Sequence, residues 1–189
     1  MYQIYQHASH QSRGTLSHRG RCPVIMAGAH IGRRGHAIVC GSSYASPKWR
    51  DLAAPAASAI AMGDALVTAC AYKPEHVHLL VREDVTVRAI QQRIEEVSSR
   101  GLRSGDTLVF FFSGYGVLVG GDVFVVDVGG ETLAVTTVHQ RLATALRQRN
   151  VANVTVIYLL DCFRNVGKRR GTLLSTPRWV GLPVLTLVK

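Results

Sequence analysis

Thr107-Leu108-Val109-Phe110-Phe111-Phe112-Ser113-Gly114-Tyr115-Gly116 is the stretch that decides the fold. Its first six residues are apolar, aromatic or β-branched without alternation, the pattern of a strand buried on both faces of a parallel sheet. The run then gives way to a small, glycine-rich polar motif. Residues 154–160 repeat the arrangement, ending in Asp161-Cys162-Phe163-Arg164-Asn165. Both motifs are expected at the carboxyl ends of core strands, where open α/β sheets gather their reacting groups.

Working outward, residues 37–40 and 77–81 read as two further strands. Residues 56–71 read as a helix of small residues with Pro55 at its start, where proline is tolerated. A second helix is expected to open at Asp84, with Val87, Ile90, Ile94 and Val97 along one face. A third covers 138–146, with Val138, Leu142 and Leu146 inward, and a short strand follows the Gly120-Gly121 turn at 123–126. Strands alternating with helices predict an α/β fold with a mostly parallel central sheet, reached by right-handed crossovers.

The 189 residues suffice for one ordinary domain with a hydrophobic core. The net charge of +10 points first to nucleic acid or an acidic surface, but its distribution argues against both. Residues 36–167 carry 12 Lys+Arg and 12 Asp+Glu, and the excess lies wholly in the two ends. No aromatic-flanked basic stripe is present. The four cysteines, Cys22, Cys40, Cys70 and Cys162, show no C-x-x-C pair, so neither a metal site nor a disulfide framework is expected, and no cofactor is implied. Reduced thiols beside apolar runs suit a cytoplasmic setting. No run reaches the roughly 18 apolar residues of a membrane span. Residues 1–35 contain arginines and glycines but no acid or periodicity. They read as a disordered basic tail, with a mitochondrial presequence as the alternative.

From 36 to 170 the chain resembles the caspase-like family of cysteine endopeptidases, in particular its paracaspase and metacaspase branches. The resemblance rests on Ile38-Val39-Cys40-Gly41-Ser42-Ser43-Tyr44, Leu52-Ala53-Ala54-Pro55, the strand at 77–81, and the two motifs in order with a helix between them. It implies a three-layer caspase-like sandwich. It also implies a C-terminally truncated one, because the family continues after its nucleophile with a further block. Here residues 171–189 supply an incomplete segment holding at most an edge strand, given Pro177 and Pro183. The edge of the fourth core strand is then expected to lie open.

The resemblance assigns positions to a chemistry. A thiolate attacks a carbonyl, and a neighbouring histidine moves the proton. The family's Ser-Gly-His-Gly is written here with Tyr115 at the histidine, flanked by Gly114 and Gly116 at the oxyanion positions. A phenol ordinarily titrates near pH ~10 and makes a poor general base at pH ~7. Anchoring the second motif on Asp161 and Arg164 puts Phe163 at the nucleophile and Cys162 one residue out of register. A one-residue shift turns a side chain to the other face of a strand, so Cys162 serves as nucleophile only if the chain bulges. The alternative is a structural thiol. The pocket for a basic substrate residue would include Asp161 and, in place of an acid on the first helix, Ser58. A local backbone-capping role for Asp161 stands beside that reading.

Three functions stand side by side. One is a proteolytically inactive relative that binds a protein or peptide partner, an active caspase-like relative included. Another is an active endopeptidase cleaving after Arg or Lys through Cys162, with His76, His78 or His139 as base. An α/β binding or hydrolase domain of another kind, its basic ends engaging an anionic partner, is the third possibility.

Overall fold

The computed structural model describes residues 35–44, 52–166 and 186–187. The expected tail lies outside them except for Gly35, and the expected C-terminal segment except for 186–187. Strands β1 (Gly35–Gly41), β2 (Val77–Val81), β3 (Thr107–Val119), β4 (Asp122–Val126), β5 (Thr132–Ala134), β6 (Thr155–Val166) and β7 (Thr186–Leu187) form one sheet. Helices α1 (Ala54–Thr68), α2 (Val87–Glu96) and α3 (Val135–Gln148) alternate with them. Pairings β1/β2, β1/β3 and β3/β6 are parallel, while β3/β4, β4/β5 and β6/β7 are antiparallel.

β3 is the axis of this sheet. On one side β6 follows it from Thr107 to Leu118. On the other side β1 pairs with Thr107 to Ser113, and β4 takes over from Gly116 to Val119. Gly114 and Tyr115 fall at the changeover. The alternation of the pleat divides the core into two layers. Leu108, Phe110 and Phe112 pack with Ile90 and Ile94 of α2 and with Val138, Leu142 and Leu146 of α3. Val109 and Phe111 pack with Ala59 and Leu66 of α1 on the opposite face. The result is the α/β/α sandwich with a mostly parallel sheet that the sequence predicts.

Small residues let α1 lie close. A Cβ at Gly41 would stand 2.3 Å from the Pro55 carbonyl oxygen and 2.7 Å from Ala59 Cβ. On the other face, Asp127 ties α2 to the β4–β5 turn. Its carboxylate accepts from Val87 N at 2.9 Å and from Glu131 N at 2.8 Å.

Several expected boundaries move. Asp84 does not open α2; it ends a 3-10 turn, Arg82–Asp84, and Thr86 caps the helix by accepting from Ala89 N at 3.1 Å. α1 stops at Thr68, short of 71, and Ala71 adopts a positive φ of 57°. β5 was not expected, and α3 starts at Val135 directly after it. The motifs also do not sit beyond strand ends, since β3 runs on to Val119 and β6 to Val166. Mutual pairing sustains both strands through their glycines and polar residues. The edge of β6 is not wholly open either, because Thr186 and Leu187 pair with Ile157 and Val156.

Candidate functional site

The parallel register of β3 and β6 sets Ser113 opposite Asp161, Gly114 opposite Cys162, Tyr115 opposite Phe163 and Gly116 opposite Arg164. The two motifs therefore meet residue for residue. Buried Ser113 donates its hydroxyl to Asp161 Oδ2 at 3.0 Å, which holds the carboxylate at the α1 face of the sheet. Ser58 lies on α1, over the same face, half-buried next to Ala59.

Cys162 follows the parity of Tyr158 and Leu160 and packs at the margin of the core beneath α2 and α3. Asp161 follows that of Ile157 and Leu159, which pack toward α1. The one-residue shift thus separates Cys162 from Asp161 across the sheet, with no bulge in the ladder between 155 and 166. A Cβ at Gly116 would come within 2.7 Å of Cys162 Sγ, so the glycine makes room for that sulfur.

Tyr44 is the residue that sequence reasoning missed. It follows β1 and reaches the gap between β1 and β4. There its hydroxyl accepts the backbone N–H of Tyr115 and donates to the Val126 carbonyl at 3.1 Å. The rings of Tyr44 and Tyr115 meet edge to face with centroids 4.7 Å apart. Burial pushes the Tyr44 phenol up to about 12, against the opposing effect of the Tyr115 hydrogen bond. A Cβ at Gly114 would lie 2.3 Å from the Tyr44 hydroxyl, and Gly114 has φ +155°. Both facts demand glycine there. The residues around Tyr44 give no signal of this, because a hydroxyl reaching 71 positions along the chain leaves no periodic trace.

The histidines considered as bases lie elsewhere. Tyr158 pairs with Phe110, Phe110 with Ile38, and Ile38 with His78. His139 Nδ1 lies 3.4 Å from the Tyr158 hydroxyl. Cys162 is four residues beyond that row, about 13 Å along a strand at roughly 3.3 Å per residue. His76 lies further back, before β2 begins. Cys40 offers no alternative nucleophile, since complete burial pushes its thiol up to about 12. Among the described residues, no group of three metal-binding side chains is positioned to hold an ion, and no helix is long and apolar enough to cross a membrane.

The chain is similar in structure to protein GSU0716 from Geobacter sulfurreducens, with a TM-score of 0.55 at 22% identity over 71% of this chain and 52% of that one. It therefore spans about half the length of that protein. It also overlays the Drosophila initiator caspase Dronc with a TM-score of 0.45 at 11% identity, covering 82% of this chain and 68% of Dronc. None of the curated proteins matches it. A family model described as the caspase domain matches residues 34–177, so the chain belongs to the caspase domain family, a family of cysteine peptidases.

Proposed function

We propose that this chain is a caspase-like domain that binds a polypeptide partner without cleaving it. One observation carries the reading: Tyr115 and Phe163, the residues that motif resemblance aligns with the family's histidine and cysteine, are direct register partners on β3 and β6. A tyrosine and a phenylalanine there provide neither the proton shuttle nor the thiolate of the reaction. Asp161, read by resemblance as the acid of a basic-residue pocket, accepts the Ser113 hydroxyl, which supports recognition of an Arg- or Lys-containing segment. The partner is an active relative or its peptide substrate, in a reducing compartment such as the cytoplasm. The paracaspase and metacaspase branches, with their preference for basic residues, are the relatives this reading favours.

The test is hydrolysis of Arg- and Lys-containing fluorogenic peptides by the purified chain, set against Cys162→Ala. The expected result is no turnover from either protein. Turnover that disappears with Cys162→Ala overturns the proposal and establishes the shifted thiol as nucleophile. Fluorescence-anisotropy titration with the same peptides is expected to show binding that Asp161→Asn weakens.

A further inference from the structure

A cleft of about 770 Å³ opens at the amino ends of the parallel strands, the end away from Tyr115. Its volume lies within the roughly 300–1,000 Å³ of small-molecule sites. His36 at the start of β1, His76 and His78 around the start of β2, and Arg100, Arg103 and Asp106 ahead of β3 line it.

The charges of this cleft are unevenly committed. Glu75 lies 3.9 Å from Lys73, and Glu96 pairs with Arg93. Asp106 is buried and accepts the backbone N–H of Arg103 at 2.7 Å. Every acid in the wall therefore has a partner. The guanidinium groups of Arg100 and Arg103 have neither an ion pair nor a hydrogen bond among the described residues. Beside them, His36 and His76 stack with centroids 4.1 Å apart and planes 15° from parallel. His76 Nδ1 is buried without a hydrogen-bond partner. Gly101 keeps the floor open, since a Cβ there would lie 3.1 Å from His36 Cε1.

We propose that this cleft binds a small phosphate-bearing anion, held by Arg100 and Arg103 and hydrogen-bonded by the His36–His76 pair. Two planar guanidinium forks suit a multi-oxygen anion better than a single point charge would. Imidazoles supply donors of matching reach. His36 is held down to about 4 by burial and then by His76, with His78 acting the same way and Asp106 opposing. The bound anion acts in the same direction as Asp106 and favours the protonated imidazole.

The experiment is titration of the full chain with pyrophosphate and with inorganic phosphate, following the histidine Cε1–H resonances by NMR, against sodium chloride of matched ionic strength. Saturating shifts at His36 and His76 are expected, with pyrophosphate the tighter probe. Arg100→Gln and Arg103→Gln are each expected to weaken its binding about tenfold, a difference of about 1.4 kcal/mol, with the thermal midpoint unchanged. Shifts that chloride reproduces, or an affinity unaltered in both variants, overturn the proposal. Should either variant fail to fold, Gly101→Ala, whose methyl group crowds His36, serves in its place and is expected to weaken binding likewise.

Discussion

The hydroxyl of Tyr44 accepts the backbone N–H of Tyr115 at the changeover where β1 leaves β3 and β4 has not yet joined it. A side chain thus completes a backbone ladder. The same hydroxyl donates to Val126 of β4 and joins the three strands. Removing it by Tyr44→Phe leaves a buried N–H and a carbonyl without this partner, so a loss of about 2–3 kcal/mol is expected in urea denaturation. A loss below ~0.5 kcal/mol would mean that the ladder does not depend on this bridge.

Gly116 and Cys162 are expected to be energetically coupled. Gly116→Ala places a methyl group against Cys162 Sγ and should destabilise by about 1–3 kcal/mol. In the Cys162→Ala background the sulfur is gone, and the same change should cost at least ~1 kcal/mol less. A double-mutant cycle by chemical denaturation measures the difference, and strict additivity would show that the two do not touch.

Asp127 satisfies the first N–H of α2 and the N–H of Glu131 with its two carboxylate oxygens. Asp127→Ala is expected to cost about 2–4 kcal/mol, since two partly buried donors lose a charged acceptor. Amide hydrogen exchange should speed up first at Val87 and Glu131, and uniform exchange along the chain would contradict this assignment.

Acid should weaken the fold through His36. Its imidazole is held down to about 4 in the folded chain, against an ordinary value of about 6.5 when unfolded. Between these values the unfolded chain binds the proton and the folded chain does not, so stability falls as the pH drops from about 6.5 toward 4. Because the cleft admits solvent, the contribution is about 1–2 kcal/mol. His78 is lowered by burial as well and acts in the same direction. Stability of His36→Gln between pH 7.5 and 4.5 should depend less on pH than that of the parent chain, and an identical slope would rule His36 out as the source.

The local order of elements was legible in the chain. Unbroken apolar runs in β1 and β3 are buried on both faces, that in β6 is buried on one face and half-buried on the other, and the spacing of Ile90, Ile94 and Val97 fits a helix face. The helix starts and strand ends were harder to read. Thr86 caps α2 through its own hydroxyl, and β3 continues through Gly114 and Gly116 because β6 and β4 pair with it. Pairing between distant segments can extend a strand through residues whose intrinsic preference would end it.

Motif order and residue identity are properties of the chain, so the sequence alone offered Tyr115 and Phe163 as the residues to compare with the family's reacting pair. It also determined that Cys162 is one residue out of phase with Asp161, because side chains on a strand alternate. Tertiary structure alone decided that the two motifs face each other, that the Tyr44 hydroxyl fills the space beside Gly114, and that the imidazoles of His36 and His76 stack at the far end of the sheet. Each of these depends on register and close approach between segments far apart in the chain. A periodic pattern encodes which face a residue occupies, and not which distant atom it meets there.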